Sequence, residues 1–179
     1  AGPGGKAALL GARAVHRNAR LLAVDRHPHR ARLVTRAVAG TPTLAAVADG
    51  TVPAWRSGAF DRVLVDAPCS GLGALRRRPE ARWRKAPSDL PALSKLQRAL
   101  LTSALDAVRP GGIVLYATCS PHLAETRAVV ADAVRRTGAT QEDVRELLPG
   151  VPDLGPGPSA QLWPHRHGTD AMFLALLRR

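Results

Sequence analysis

The sequence predicts an α/β fold, a mostly parallel sheet with helices on both faces and an antiparallel last strand. Three observations carry that expectation. Short apolar runs alternate with helical periodicities along most of the 179 residues. Several of the runs end in an acidic or cysteine-bearing turn. The tail breaks the alternation with a Pro/Gly-rich stretch and one final apolar run.

Taken in order, Ala1-Gly2-Pro3-Gly4-Gly5-Lys6 is a glycine-rich turn opening onto an apolar helix over residues 7–14. Such turns leave the C-terminal end of a strand. None stands in front of this one, so the chain reads as a piece that starts just after its first strand. Residues 19–25 read as a short buried strand, 28–39 as a helix, 43–48 as a second strand and 62–66 as a third. The most regular helix comes next. Leu93, Leu96, Leu100, Ala104, Leu105 and Val108 recur at helical spacing, with Ser88 as N-cap and Pro110-Gly111-Gly112 as the stop. A strand over 113–118 follows directly, and Ser120-Pro121 reads as the cap and first position of a helix to about residue 136. Residues 144–148 suit a strand, 149–158 a surface loop and 171–177 the closing strand.

Length fits one domain over residues 1–179, and a chain of this size buries roughly 70% of its unfolded surface without disulfide or metal staples. Its 26 Lys and Arg against 14 Asp and Glu give a net charge of +12. Clustered cations of that kind suit a polyanion, because they release the counterions condensed on phosphates. Part of the excess is local: Arg76, Arg77, Arg78, Arg82, Arg84 and Lys85 stand close together with the single acid Glu80 among them. No apolar stretch reaches the ~20 residues that span a bilayer, and no signal peptide is visible at the start, so a cytoplasmic location without a membrane partner is expected. His165 and His167 form too small a group for a metal site and more readily shape a surface rim. Nothing in the sequence specifies a protein partner.

The two cysteines carry the chemistry. Asp66-Ala67-Pro68-Cys69-Ser70-Gly71 follows the run Val63-Leu64-Val65, and Thr118-Cys119-Ser120-Pro121 follows Ile113-Val114-Leu115-Tyr116. If those strands are neighbours at the usual ~4.8 Å spacing, both thiols reach one reacting carbon beside the Asp66 carboxylate. The stretch around Cys119 reads as a helix start, whose dipole favours thiolate, and the arginine-rich segment adds to that bias. Asp25 and Asp49 end two further strands, where a carboxylate can accept hydrogen bonds from ribose hydroxyls. The glycine turn lacks the Ser or Thr of a phosphate-binding lysine loop and the third glycine of a nicotinamide fingerprint. A nucleoside-type cofactor held by backbone and acids remains.

Together these motifs, with Arg78-Pro79-Glu80, Arg82-Trp83, Leu96-Gln97 and Trp163-Pro164-His165, make the chain resemble the Nop/Sun family of RNA cytosine-5 methyltransferases, and within it the RsmB-like branch acting on 16S ribosomal RNA. The resemblance implies a Rossmann-like class I methyltransferase fold with S-adenosyl-L-methionine as cofactor. It implies that Cys119 is the nucleophile, that Cys69 assists release of the enzyme from the methylated base, and that Asp66 serves the target base. Cofactor contacts then fall on Ala1, Gly2, Pro3, Gly4, Gly5, Lys6, Asp25, Asp49 and Asp66. Arg76, Arg77, Arg78, Arg82, Arg84 and Lys85 would track RNA phosphates and Trp83 would stack on a base. It further implies that an upstream strand and an RNA-binding domain belong to the same protein, and that these 179 residues alone bind cofactor poorly or are inactive. Rival readings are a non-catalytic RNA-binding module, a transfer RNA cytosine-5 methyltransferase and a thiol redox protein using Cys69 and Cys119.

Overall fold

A computed structural model describes residues 3–179. The glycine-turn residues Ala1 and Gly2 lie outside the described residues. The chain divides into two compact units, Ala1–Ala54 and Trp55–Arg179.

In the first unit, helix α1 (Gly5–His16), strand β1 (Leu21–Asp25), helix α2 (Pro28–Ala37) and strand β2 (Thr43–Val47) follow one another. β1 and β2 pair in parallel, Leu21 opposite Thr43 and Asp25 opposite Val47. Ala7, Ala23, Val34 and Val38 form the small core beneath them. Pro28 at the first turn of α2 is preset for a helix and forfeits no intrahelical hydrogen bond there.

The second unit is built on β3 (Phe60–Asp66), β4 (Val108–Thr118) and β7 (Phe173–Arg178). β3 and β4 run parallel, with Asp66 opposite Ala117, and β7 lies antiparallel to β4, with Thr118 opposite Phe173. The antiparallel last strand is as expected. Two short strands join it: β5 (Thr140–Glu142) and β6 (Ala160–Gln161) both pair antiparallel with β7, which makes this sheet mixed.

Alternation along the strands divides the core in two. Val114, Tyr116, Phe173, Ala175 and Leu177 face α4 (Leu90–Ala107) and α5 (Arg127–Thr137), whose Leu101, Leu105, Val129 and Val130 complete the main cluster. Ile113, Leu115, Leu174 and Leu176 face the other way, against Val144, Leu148, Val151 and Leu154. The Pro/Gly-rich stretch thus covers one sheet face. Residues 144–148 depart from the expected strand: Val144–Leu147 is a 3₁₀ turn, capped by the Asp143 carboxylate accepting from the Arg145 amide. A local side-chain cap of this kind competes with a ladder for the backbone.

Two further elements differ from expectation. α4 does not start on Ser88; a 3₁₀ turn over Pro87–Asp89 runs into it, with Asp89 accepting from the Ala86 amide. Its buried face includes Ser94 and Gln97, while Leu93, Leu96 and Leu100 are only partly covered. Nor does a helix begin at Ser120-Pro121. The chain makes a 3₁₀ turn over Leu123–Glu125, capped by His122, and α5 begins at Arg127. Short helices α3 (Ala81–Arg84) and α6 (Pro164–His167) lie in the two long loops.

Candidate active site

The parallel pairing of β3 with β4 brings the two cysteine turns together. Cys69 and Cys119 sulfurs stand 3.4 Å apart, both half-buried, and neither is in a disulfide. The thiols share a hydrogen bond and titrate as a pair. The hydrogen bond from Cys69 lowers the Cys119 thiol, against burial and the nearby Asp66 and Asp170 carboxylates, which raise it. Cys69 is raised, first by that same bond, then by burial, then by the charge of Cys119, with a smaller contribution from Glu125. The pair therefore ionises at Cys119 and keeps its proton on Cys69. The expected helix dipole is not the cause, since α5 begins eight residues beyond Cys119.

A second layer holds the turns, and Glu125 is its centre. This residue is fully buried. One carboxylate oxygen accepts from the Ser70 amide at 2.7 Å and from Gln97 Nε2 at 3.1 Å. The other accepts from the Ser70 and Ser120 hydroxyls, each at 2.6 Å. Burial pushes this carboxyl up, but the hydrogen bonds from Ser120, Ser70 and Gln97 together outweigh it and leave it lowered, so the group is ionised. Gln97 Nε2 also donates to the Pro68 carbonyl at 2.8 Å, and the Tyr116 hydroxyl donates to the Glu125 carbonyl at 2.8 Å. Ser70, Ser120 and Gln97 stand within the sequence motifs but carried no assigned role there, and Glu125 stood outside all of them. The available signal was the repeated Cys-Ser pair, two hydroxyls at matching places in search of one acceptor.

A glycine ties the loop after Cys69 to the Cys119 turn and to the stretch before β7. Gly73 donates its amide to the Cys119 carbonyl at 2.9 Å and accepts at its own carbonyl from the Ala171 amide at 2.9 Å. A Cβ there would stand 2.1 Å from the Ala171 carbonyl oxygen and 2.9 Å from that of Cys119. Only glycine fits.

Asp66 is exposed at the end of β3, and its charge is felt at Cys119. In the first unit, Asp25 accepts from the His27 amide at 2.9 Å, and Asp49 accepts from the Thr51 amide and hydroxyl at 2.8 and 2.7 Å. Both thus hold the turns after their strands. Gly4, with φ of +117°, precedes α1, and a Cβ there would lie 2.7 Å from that of Ala37. Glycine at this place is therefore required by packing on α2.

The basic segment is exposed throughout. Arg77 is spoken for by a bidentate ion pair with Asp170, its Nε at 2.9 and 3.0 Å from the two oxygens, and Arg76 reaches the Gly168 carbonyl at 3.3 Å. Among the described residues Arg78, Arg82, Arg84 and Lys85 enter no ion pair. Trp83 is 85% exposed, beside a hollow of about 190 Å³ that it lines with Leu75, Pro79 and Arg82. It does not pack beneath its own loop. His167 has both ring nitrogens engaged, Nδ1 accepting from the Trp163 amide and Nε2 against the Pro152 carbonyl, each at 2.8 Å, which places it in the fold. No helix among the described residues is long and apolar enough to cross a membrane.

The family model described as 16S rRNA methyltransferase RsmB/F matches residues 1–178. The chain belongs to the RsmB/F methyltransferase family. Among curated relatives, a protein of Mycobacterium tuberculosis (strain H37Rv) named as a methyltransferase is 59% identical over 180 residues, covering the whole chain and 39% of that protein. The ribosomal RNA small subunit methyltransferase B of Sodalis glossinidius is 37% identical over 169 residues, covering 88% of the chain and 38% of that protein. This RsmB/F chain thus spans about two fifths of the length of the relatives it matches. Among solved structures, NSun6 from Pyrococcus horikoshii with SFG superposes at a TM-score of 0.80 and 24% identity, over 98% of the chain and 45% of that structure. That likeness places the RsmB/F chain in the Rossmann-like methyltransferase fold.

Proposed function

We propose that this chain belongs to the catalytic part of an RNA cytosine-5 methyltransferase acting on small-subunit ribosomal RNA in the cytoplasm. The observation that carries this reading is the 3.4 Å thiol pair beyond the ends of two parallel strands. Family membership supports methyl transfer to ribosomal RNA; the paired thiols support carbon 5 of cytosine.

S-adenosyl-L-methionine fits the residues of the first unit. α1 opens on Gly4 with no side-chain cap, the kind of glycine-rich helix N-terminus that a polar ligand approaches, and a Cβ on Gly5 would meet no described atom within 4 Å outside its own helix and chain neighbours. Pro3, Gly4, Gly5, Lys6, Asp25 and Asp49 would hold it. When bound, it supplies an electrophilic methyl group.

The chain's own residues perform the remainder. Carbon 5 of neutral cytosine is a weak nucleophile, and the Cys119 thiolate overcomes this by adding to carbon 6. A sulfur–carbon bond forms, the 5,6 double bond opens, and its electron pair makes carbon 5 an enamine carbon. Asp66, hydrogen-bonding on the ring-nitrogen side, stabilises the charge that develops there. Once carbon 5 has been alkylated, a base removes its remaining proton, the double bond re-forms and Cys119 departs as thiolate. Cys69 takes part in that release. A cytosine held this way is out of any stack, which calls for single-stranded or flipped RNA.

A Cys69→Ala variant of the full-length protein, incubated with RNA and cofactor, is expected to accumulate a covalent protein–RNA adduct that survives denaturing electrophoresis, and Cys119→Ala none. Absence of an adduct in the Cys69 variant, with RNA binding retained, would favour a non-catalytic RNA-binding module.

A further inference from the structure

We propose that Glu125 is a positioning residue that holds the Cys69 and Cys119 turns in their reactive register through a buried carboxylate. The inference rests on the reading of the thiol pair as a methyltransferase site, and it adds a residue that never touches the substrate base.

Geometry carries the argument. Four donors converge on the two oxygens of Glu125, and three of them belong to Ser70 and Ser120, the residues directly after the two cysteines. The fourth, Gln97 Nε2, simultaneously ties down the Pro68 carbonyl, directly before Cys69. One carboxylate therefore spans both turns, and moving either turn would leave its donors or the carboxylate without partners. An unpartnered charge is what a fully buried site tolerates least, so the arrangement is held together as a unit. The Gln97 orientation follows from the same network: both acceptors it faces are oxygens, which fixes its amide nitrogen toward them and leaves its Oε1 buried without a hydrogen-bond partner among the described residues. A purely structural clamp could have used an amide or a hydroxyl. A carboxylate adds negative charge on the Cys69 side, where it strengthens the hold of that thiol on its proton. The proton that Cys69 keeps is the one it donates to Cys119.

The test compares Glu125→Gln with wild type in the full-length protein by two readouts. The first is the ratio of Cys119 to Cys69 labelling by iodoacetamide between pH 6 and 9, read by peptide mass spectrometry without RNA or cofactor. The second is methyl transfer, split into kcat and KM for RNA. The near-isosteric glutamine fills the site but lacks the charge and one acceptor oxygen, so the two serine hydroxyls that share a carboxylate oxygen in wild type face an amide donor instead and the turns lose their hold. The variant is expected to weaken the labelling preference for Cys119 and to lower kcat by about 10²-fold, the loss typical of misplaced reacting groups, with KM for RNA little changed. Unchanged labelling preference together with kcat within about threefold would overturn the proposal. Should Glu125→Gln fail to fold, Ser70→Ala and Ser120→Ala, each removing one hydroxyl donor, are expected to shift the labelling ratio in the same direction by less, and no shift in either would overturn it. If wild type transfers no methyl group, the methyltransferase reading fails, while the labelling ratio still decides the role of Glu125.

Discussion

Two thiols in hydrogen-bond contact cannot both ionise readily, because the first thiolate raises the energy of the second. Which one ionises first is decided by their surroundings, and here a donated hydrogen bond selects Cys119. The sign of the pH dependence follows. Thiolate at Cys119 grows as pH rises through its lowered value, below the ordinary thiol range near ~8.5, and the site stays competent while Cys69 retains its proton. Iodoacetamide alkylation of Cys119 is therefore expected to show a midpoint below that of a free thiol. In Cys69→Ala, which removes the donor, the midpoint should move upward; an unmoved midpoint would show that the neighbouring thiol is not its cause. The pair itself was legible in the sequence, since two apolar runs each ending in a Cys-Ser turn are hard to read otherwise. The source of the bias was not. Ser120 followed by Pro121 has the composition of a helix start, and that local signal hid the hydroxyl's bond to a carboxylate five residues on.

The strands position the cysteines, but the loops between them set the precision. The places of β3, β4 and β7 along the chain could be read from their apolar runs and the antiparallel turn of β7 from the break in the strand–helix alternation, while the pairing of β3 with β4 entered only as a condition that the register now meets. Buried polar positions could not, since Ser94 and Gln97 on α4 interrupt the apolar stripe at the end that meets the site. The tail misled for a related reason: Val144 to Leu148 has a strand's composition, yet an aspartate cap turns it into a 3₁₀ segment that packs against the sheet. Gly73 shows how tightly these loops are fitted. Gly73→Ala would drive a methyl group into two backbone carbonyls that cannot swing aside, as a flexible side chain could. Overpacking of this kind typically costs about 1–3 kcal/mol. A thermal or denaturant melt should record a loss in that range, accompanied by increased Cys119 labelling as its turn loosens. A melt within 0.5 kcal/mol of wild type would show that the loop relaxes freely, a threshold of about the size of ordinary surface effects.

Across the chain, the charge surplus divides into cations already engaged and cations left for a partner. Arg77, Arg109, Arg135, Arg136, Arg145, Arg178 and Arg179 are engaged by acids of the second unit. Arg78, Arg82, Arg84 and Lys85 are exposed without such partners among the described residues, and Trp83 stands in their midst with most of its ring in solvent. Sequence density alone had grouped Arg76 and Arg77 with them. The structure separates the group by what each guanidinium already holds, since a bidentate aspartate partner must be given up before Arg77 can hold a phosphate. RNA binding by the full-length protein should reflect that division. Replacing Arg82 or Arg84 by Ala is expected to reduce the slope of log affinity against log salt by about 0.7 per residue, the value for one phosphate contact on a single strand. Replacing Trp83 should leave the slope unchanged and weaken binding uniformly by ~1–3 kcal/mol, the worth of one base stacked on an aromatic ring. Arg77→Ala should change the slope least, because the charge it removes is already neutralised by Asp170. Titrations between 50 and 200 mM salt separate these outcomes, the range over which phosphate contacts alter affinity most visibly. An equal loss of slope at Arg77 and Arg82 would mean that RNA displaces Asp170 from its partner and that the loop rearranges when it binds.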